Sequence, residues 1–205
     1  MGSRRYAARD ADDLVRLVDE NPLVWIFLED ETGPFATGAP VRPVVADGQL
    51  QQLIGHVPRG SRVHRALGAP CKGLILVLGP HGYVSPSWLS DRTQAPTWNF
   101  TSAKLAAVLE AIEDPALLED HLRSLVKAME RSREDAWRVE EMGPRMQRLA
   151  AGVVAFDAKI TDRECRFKLG QDEDDQTFAE IMRGLEREGN EGLRRWMREF
   201  NPSRV

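Results

Sequence analysis

The longest uninterrupted apolar run in this chain, Leu74-Ile75-Leu76-Val77-Leu78, is only a strand's length. A bilayer-spanning helix needs about 20 predominantly apolar residues, so no membrane span is expected. The run lies between Gly73 and Gly79-Pro80, punctuation that suits a buried strand better than a helix. Leu23 to Leu28 is a second compact apolar strand, followed by the turn Glu29-Asp30-Glu31-Thr32-Gly33. Val41 to Val45 and Leu50 to Val57 flank Asp47-Gly48, a hairpin turn signal. Gly79-Pro80-His81-Gly82 reads as a turn, and Tyr83 to Trp88 is too interrupted by Pro86 to be a helix.

Helical patterning comes before and after these strands. Residues 10–20 place Leu14, Val15, Leu17 and Val18 between acidic residues, with Asp10 as a possible cap. Over 114–134, Asp114 caps, Pro115 takes the first position, and Leu117, Leu118, Leu122, Leu125, Val126 and Met129 form a stripe. His121 on this helix reads as exposed. Val153 to Lys168 alternates as a long strand or hairpin, and Phe178 to Glu188 and Gly192 to Phe200 close the chain as helices. Lys104 to Glu113 is ambiguous: its composition favours helix, yet its apolar residues alternate. Short strands followed by late helices predict an α+β chain built on a small antiparallel barrel. At 205 residues it is expected to be a single domain, with C-terminal helices over about 173–200.

A formal net charge of −4 and a pI near 5.7 give no electrostatic footprint for nucleic acid, which is not expected as a partner. Arg4-Arg5 leads into Asp10, Asp12 and Asp13 without an apolar core, so no secretory signal is read. Two cysteines, Cys71 and Cys165, are too few for a disulfide framework or a zinc site. Reduced thiols in a cytoplasmic protein fit that count best.

Four stretches are recognisable. Gly79-Pro80-His81-Gly82-Tyr83-Val84-Ser85-Pro86-Ser87-Trp88, followed by Ala95-Pro96-Thr97-Trp98-Asn99-Phe100, resembles the PaiB-like family, whose pattern reads GPHAYVSPSWY and VPTWNY. Arg166-Phe167-Lys168-Leu169-Gly170-Gln171 is similar to that family's KFKLSQN, and Gly55-His56-Val57 to its GHMAR element. The resemblance implies an FMN-type split β-barrel that forms a homodimer, with the cofactor held where the protomers meet. It also implies a strand after Trp98-Asn99, so Thr97 to Ala111 is assigned as strand against its propensity.

The departures from that pattern point elsewhere. Where the flavin-type element continues ANPQWRAL, this chain has Gly60-Ser61-Arg62-Val63-His64-Arg65-Ala66-Leu67, so His64 replaces a tryptophan. ATHLP becomes Ala36-Thr37-Gly38-Ala39-Pro40, and PFAT becomes Pro22-Leu23-Val24-Trp25. This pattern is similar to the piperazate synthase branch, which uses haem to cyclise N5-hydroxy-L-ornithine to L-piperazic acid through an N–N bond. The resemblance therefore implies haem b, with FMN as the alternative cofactor of a reductase or regulator.

On that resemblance His64 is the expected iron ligand, because neutral imidazole suits haem iron. The plainer reading is a surface histidine among arginines, and His56 is the reserve among four histidines. Arg59, Arg62 and Arg65 either pair with haem propionates or form a solvated basic loop. Trp98 and Asn99 offer an aromatic wall and an amide, while Trp88 can be core packing alone. Ser85 and Ser87 either hold a substrate carboxylate or satisfy backbone around Pro86. Lys168 and Gln171 are expected to face the cofactor cleft, and Lys72 carries protons only if burial depresses its pKa. Cys71 and Cys165 are assigned no ligand role.

Overall fold

Six strands order as β1-β2-β3-β6-β5-β4 and close on themselves. The computed structural model describes residues 4–204. The strands are β1 (Leu23–Asp30), β2 (Gly33–Ala46), β3 (Gln49–Pro58), β4 (Cys71–Val84), β5 (Thr97–Ile112) and β6 (Val153–Lys168). Between them lie α1 (Ala11–Glu20), α2 (Arg62–Ala66), α3 (Pro115–Glu130), α4 (Arg145–Ala150), α5 (Asp175–Arg187) and α6 (Glu191–Phe200). The chain divides into two compact units, residues 11–77 with 104–164, and residues 4–10 with 78–103 and 165–204.

In the larger unit all six strands contribute to the barrel. β1 hydrogen-bonds to β2 with Ile26 opposite Thr37, and closes the barrel on β4 with Trp25 opposite Leu76. β3 pairs with β6, placing Gly55 opposite Phe156 and His56 opposite Ala155. The interior is built by alternation: Val24, Ile26 and Leu28 from β1, Leu53 and Val57 from β3, and Leu105, Ala107 and Leu109 from β5 are buried. α1 and α3 lie against β2 and β3. α1 buries Leu14, Leu17 and Val18, the face its sequence predicts.

In the smaller unit α5 and α6 pack around aromatic residues. Phe167 stacks on Trp196 and Phe200, with ring centroids 5.8 Å and 5.2 Å away. Asp174 caps α5 by accepting from the Thr177 N–H at 2.8 Å, and Asn190 caps α6.

Thr97–Ile112 is one continuous strand, with alternate residues from Asn99 to Leu109 buried. Tertiary pairing overrides the helix propensity of KLAAVLEAIE. Two expectations need correction. Gly79-Pro80-His81-Gly82 is no turn; β4 runs through it to Val84. The glycine there serves close approach rather than reversal, since a Cβ on Gly82 would lie 2.8 Å from Asn190 Nδ2 and 3.0 Å from Leu193 Cδ2. The stripe of α3 is rotated: Leu118 and His121 are buried, while Leu117 and Met129 are exposed. The short helices α2 and α4 had no sequence signal strong enough to be read.

The β3–β6 pairing is tight enough to test. A Cβ on Gly55 would stand 2.3 Å from Phe156 Cζ and 2.9 Å from the Pro40 carbonyl oxygen. Gly55→Ala is expected to lower stability by about 1–3 kcal/mol, read from urea unfolding; an unchanged midpoint would refute this packing.

Candidate functional site

The residues singled out by sequence fall into both units. In the larger one, Ser61 caps α2 by accepting from the His64 N–H, which fixes the loop that carries the basic residues. His64 is held at both ring nitrogens: Nδ1 accepts from the Gly60 N–H at 2.9 Å, and Nε2 lies 3.2 Å from Glu113 Oε1. The Glu113 carboxyl sits below its ordinary range because Arg59 and then His64 hydrogen-bond to it.

The three arginines are engaged as well. Arg62 grips both Asp30 oxygens at 2.8 Å, donates to Thr32 Oγ1 and the Gly33 carbonyl, and stacks over Phe35 at 4.1 Å. Hydrogen bonds from Arg62 and Thr32 hold the Asp30 carboxyl far below the usual range. Arg59 pairs with Glu113 at 2.9 Å and reaches the Ala151 and Val153 carbonyls. Arg65 donates to the Gly60 carbonyl. These contacts tie the 59–65 loop to the β1–β2 turn and the end of β5. Lys72 is exposed on β4, so the burial its proton-carrier role required is missing.

In the same unit the structure forms a pair that the sequence reading missed. His56 Nδ1 lies 3.0 Å from His121 Nε2, and His121, read as exposed, is only 4% exposed. His121 Nδ1 is buried without a hydrogen-bond partner. Burial lowers the His56 pKa; burial, His56 and the Arg42 guanidinium push His121 down to about 4. Both rings are therefore neutral near pH 7. His56 borders a cavity of about 210 Å³ lined otherwise by apolar groups, among them Leu122, Trp137, Met142, Met146 and Leu149. A second cavity of about 340 Å³, lined in part by Arg59 and Glu113, shares Met146 and Ala150 with it. The signal was present in the sequence: His121 falls one helical step from Leu118 and from Leu125, on the inward face.

In the smaller unit, Trp98 is 53% exposed and meets Tyr83 edge-on at 5.9 Å, with His81 at 6.3 Å. Lys168 Nζ donates to Thr97 Oγ1 at 2.5 Å. Ser85 and Ser87 hydroxyls are 2.7 Å apart, and Ser85 also accepts from the Ser87 N–H, capping a short turn of helix. Both line a recess of about 500 Å³ with Gly82, Tyr83, Trp88 and Asn190. Asn99 and Gln171 are engaged within the fold. Asn99 is fully buried, with Nδ2 on Met197 Sδ at 3.6 Å and Oδ1 unpartnered. Gln171 bonds the Phe167 carbonyl and the Leu169 N–H. Cys71 is a free thiol whose pKa is raised by burial. Among the described residues no group of three or more metal-type ligands occurs, and no helix is long and apolar enough to cross a membrane.

Residues 2–162 match a family model described as "Putative FMN-binding domain". The chain is 25% identical over 186 residues to protease synthase and sporulation protein PAI 2 of Bacillus subtilis, covering 90% of this chain and 88% of that protein. Among solved structures it is similar to the FAD and haem binding protein of Mycobacterium smegmatis, with TM-score 0.59, 22% identity, and 84% and 78% of the two chains covered. The flavocytochrome Anf3 of Azotobacter vinelandii gives TM-score 0.56 and 17% identity over 81% and 74%. At these identities the structural likeness speaks for the fold.

The His56–His121 pair predicts a pH dependence. A histidine kept neutral in the fold stabilises above its unfolded pKa near 6.5, and that contribution declines as pH falls toward about 4. For cofactor-free protein the loss attributable to His121 should reach about 2 kcal/mol between pH 7 and pH 5. Denaturant titrations of the parent and of His121→Leu at both pH values measure it; parallel losses would show that His121 is not the source.

Proposed function

This chain belongs to the FMN-binding domain family, and we propose that within it the chain is a haem-dependent cyclase, a piperazate synthase acting on N5-hydroxy-L-ornithine. The observation that supports the reading most is the imidazole-bearing stretch from Gly55 to Leu67, where His64 replaces the flavin pattern's tryptophan and His56 borders an apolar cavity. Two structurally similar proteins, one described as binding FAD and haem and one as a flavocytochrome, are compatible with haem on this fold.

The reaction joins the α-nitrogen to N5, breaks the N5–O bond and releases water, so it balances without an external oxidant or reductant. Haem, when bound, supplies a Lewis-acidic iron that weakens the N–O bond. The protein's part is to curl a flexible amino acid so that its two nitrogens meet, an orientation effect. Arg59 and Arg65 are proposed to meet the propionates, Arg59 by exchanging Glu113 for one of them.

The experiment is a visible spectrum of the purified chain offered haemin or FMN, followed by N5-hydroxy-L-ornithine without reductant. A Soret band at one haem per chain, and a product lighter by one water, are expected. Flavin bands without haem uptake would transfer the chain to the alternative reading, an FMN-binding reductase or regulator.

A homodimer is part of the same proposal. The outer face of β1 carries Leu23, Trp25 and Phe27, all exposed, beside Leu74 and Leu76 of β4. A contiguous apolar sheet face of this kind is a common protein-binding surface. Light scattering should give a dimer, and Trp25→Glu should shift it toward monomer; a monomeric parent with full haem uptake would refute it.

A further inference from the structure

We propose that the space between α3 and the connection that follows it binds a free alkyl carboxylate, its head held by Lys127 and Arg138 and its tail lying along Trp137 and Val139. The inference does not depend on the haem reading.

Residues 131–152 lead from α3 back to β6 and cover part of α3 without closing on it. Two ties hold them there: Glu130 accepts from the Trp137 N–H at 3.2 Å, and Arg123 pairs with Glu140. Between the ties lies a groove of about 410 Å³ whose apolar wall is Val126, Trp137 and Val139. The same three residues line the inner cavity of about 210 Å³, so the two spaces adjoin along that wall. Leu122, Met142 and Met146 extend it inward, and each is only half-buried although they line one cavity from both sides. Protein interiors are close-packed, and apolar walls without partner atoms are where an apolar ligand gains contacts.

The rim sets the sign of the ligand. Four cations line it, Arg123, Lys127, Arg131 and Arg138, against the acids Glu130 and Glu140. Both acids are committed within the fold, Glu140 to Arg123, and Glu130 to Arg133 and the Trp137 N–H. Arg123 also holds Glu119, and Arg131 holds Asp19. Among the described residues, Lys127 Nζ and the Arg138 guanidinium have no such partner. Two unpaired cations beside an apolar groove suit one anionic head on an apolar body. The inner end has no place for a second charge: its one polar side chain, His56, is kept neutral by burial and is engaged by His121. A monocarboxylate with a single alkyl tail therefore fits, whereas a dicarboxylate or a sugar phosphate would bury charge or hydroxyls among methionines.

Calorimetric titration of the full chain with decanoate, below its micelle-forming concentration, tests this. One decanoate per chain is expected, with affinity falling about fourfold for each methylene removed toward hexanoate. Lys127→Gln with Arg138→Gln should weaken binding about tenfold or more at an unchanged urea midpoint, since both side chains are exposed. Trp137→Ala should weaken it too, and decyltrimethylammonium, with the same tail and the opposite charge, should not bind. Equal affinity for decyltrimethylammonium, or full decanoate affinity in the folded double variant, overturns the proposal. Sedimentation with anionic phospholipid vesicles by a chain that takes up no decanoate would assign the patch to a membrane surface and overturn it as well.

Discussion

The contact on which most of the larger unit depends is the one between Gly55 and Phe156. Phe156 fills the barrel interior from β6, and its ring occupies the space a side chain at position 55 would need. With that space closed, β3 and β6 hold a register that cannot slip by one residue without turning Leu53, Val57 and Phe156 out of the core. The same register turns His56 outward, toward α3. A rigid strand therefore presents the imidazole, and a helix rather than a loop supplies its hydrogen-bond partner.

The basic loop after β3 follows a different logic. Arginines that look available in a linear sequence are committed once the chain folds: Arg62 to Asp30 and Gly33, Arg65 to Gly60, Arg59 to Glu113. Arg62 is the most committed, because bidentate geometry and stacking on Phe35 use the planar guanidinium in two ways at once. Exposed pairs of this kind contribute little to stability individually. Their effect here is geometric: they fix the ends of the loop, and they leave Arg65, whose side chain meets only the Gly60 carbonyl, as the least committed of the three.

Most of the barrel was legible in the sequence because period-2 alternation survives unfavourable composition. β5 is the clearest case: its alanines and leucines favour helix, yet the alternate positions from Asn99 to Leu109 are the buried ones. What was not legible depended on partners distant in sequence. Gly79-Pro80 looks like a turn until α6 is known to pack against Gly82. Gln171 and Asn99 sit in recognisable motifs, and what those motifs do not show is that one side chain meets the turn after β6 and the other is enclosed beside Met197. His121 was misread because a histidine inside an apolar stripe is easily set aside as surface. Its partner, His56, lies 65 residues away in the sequence.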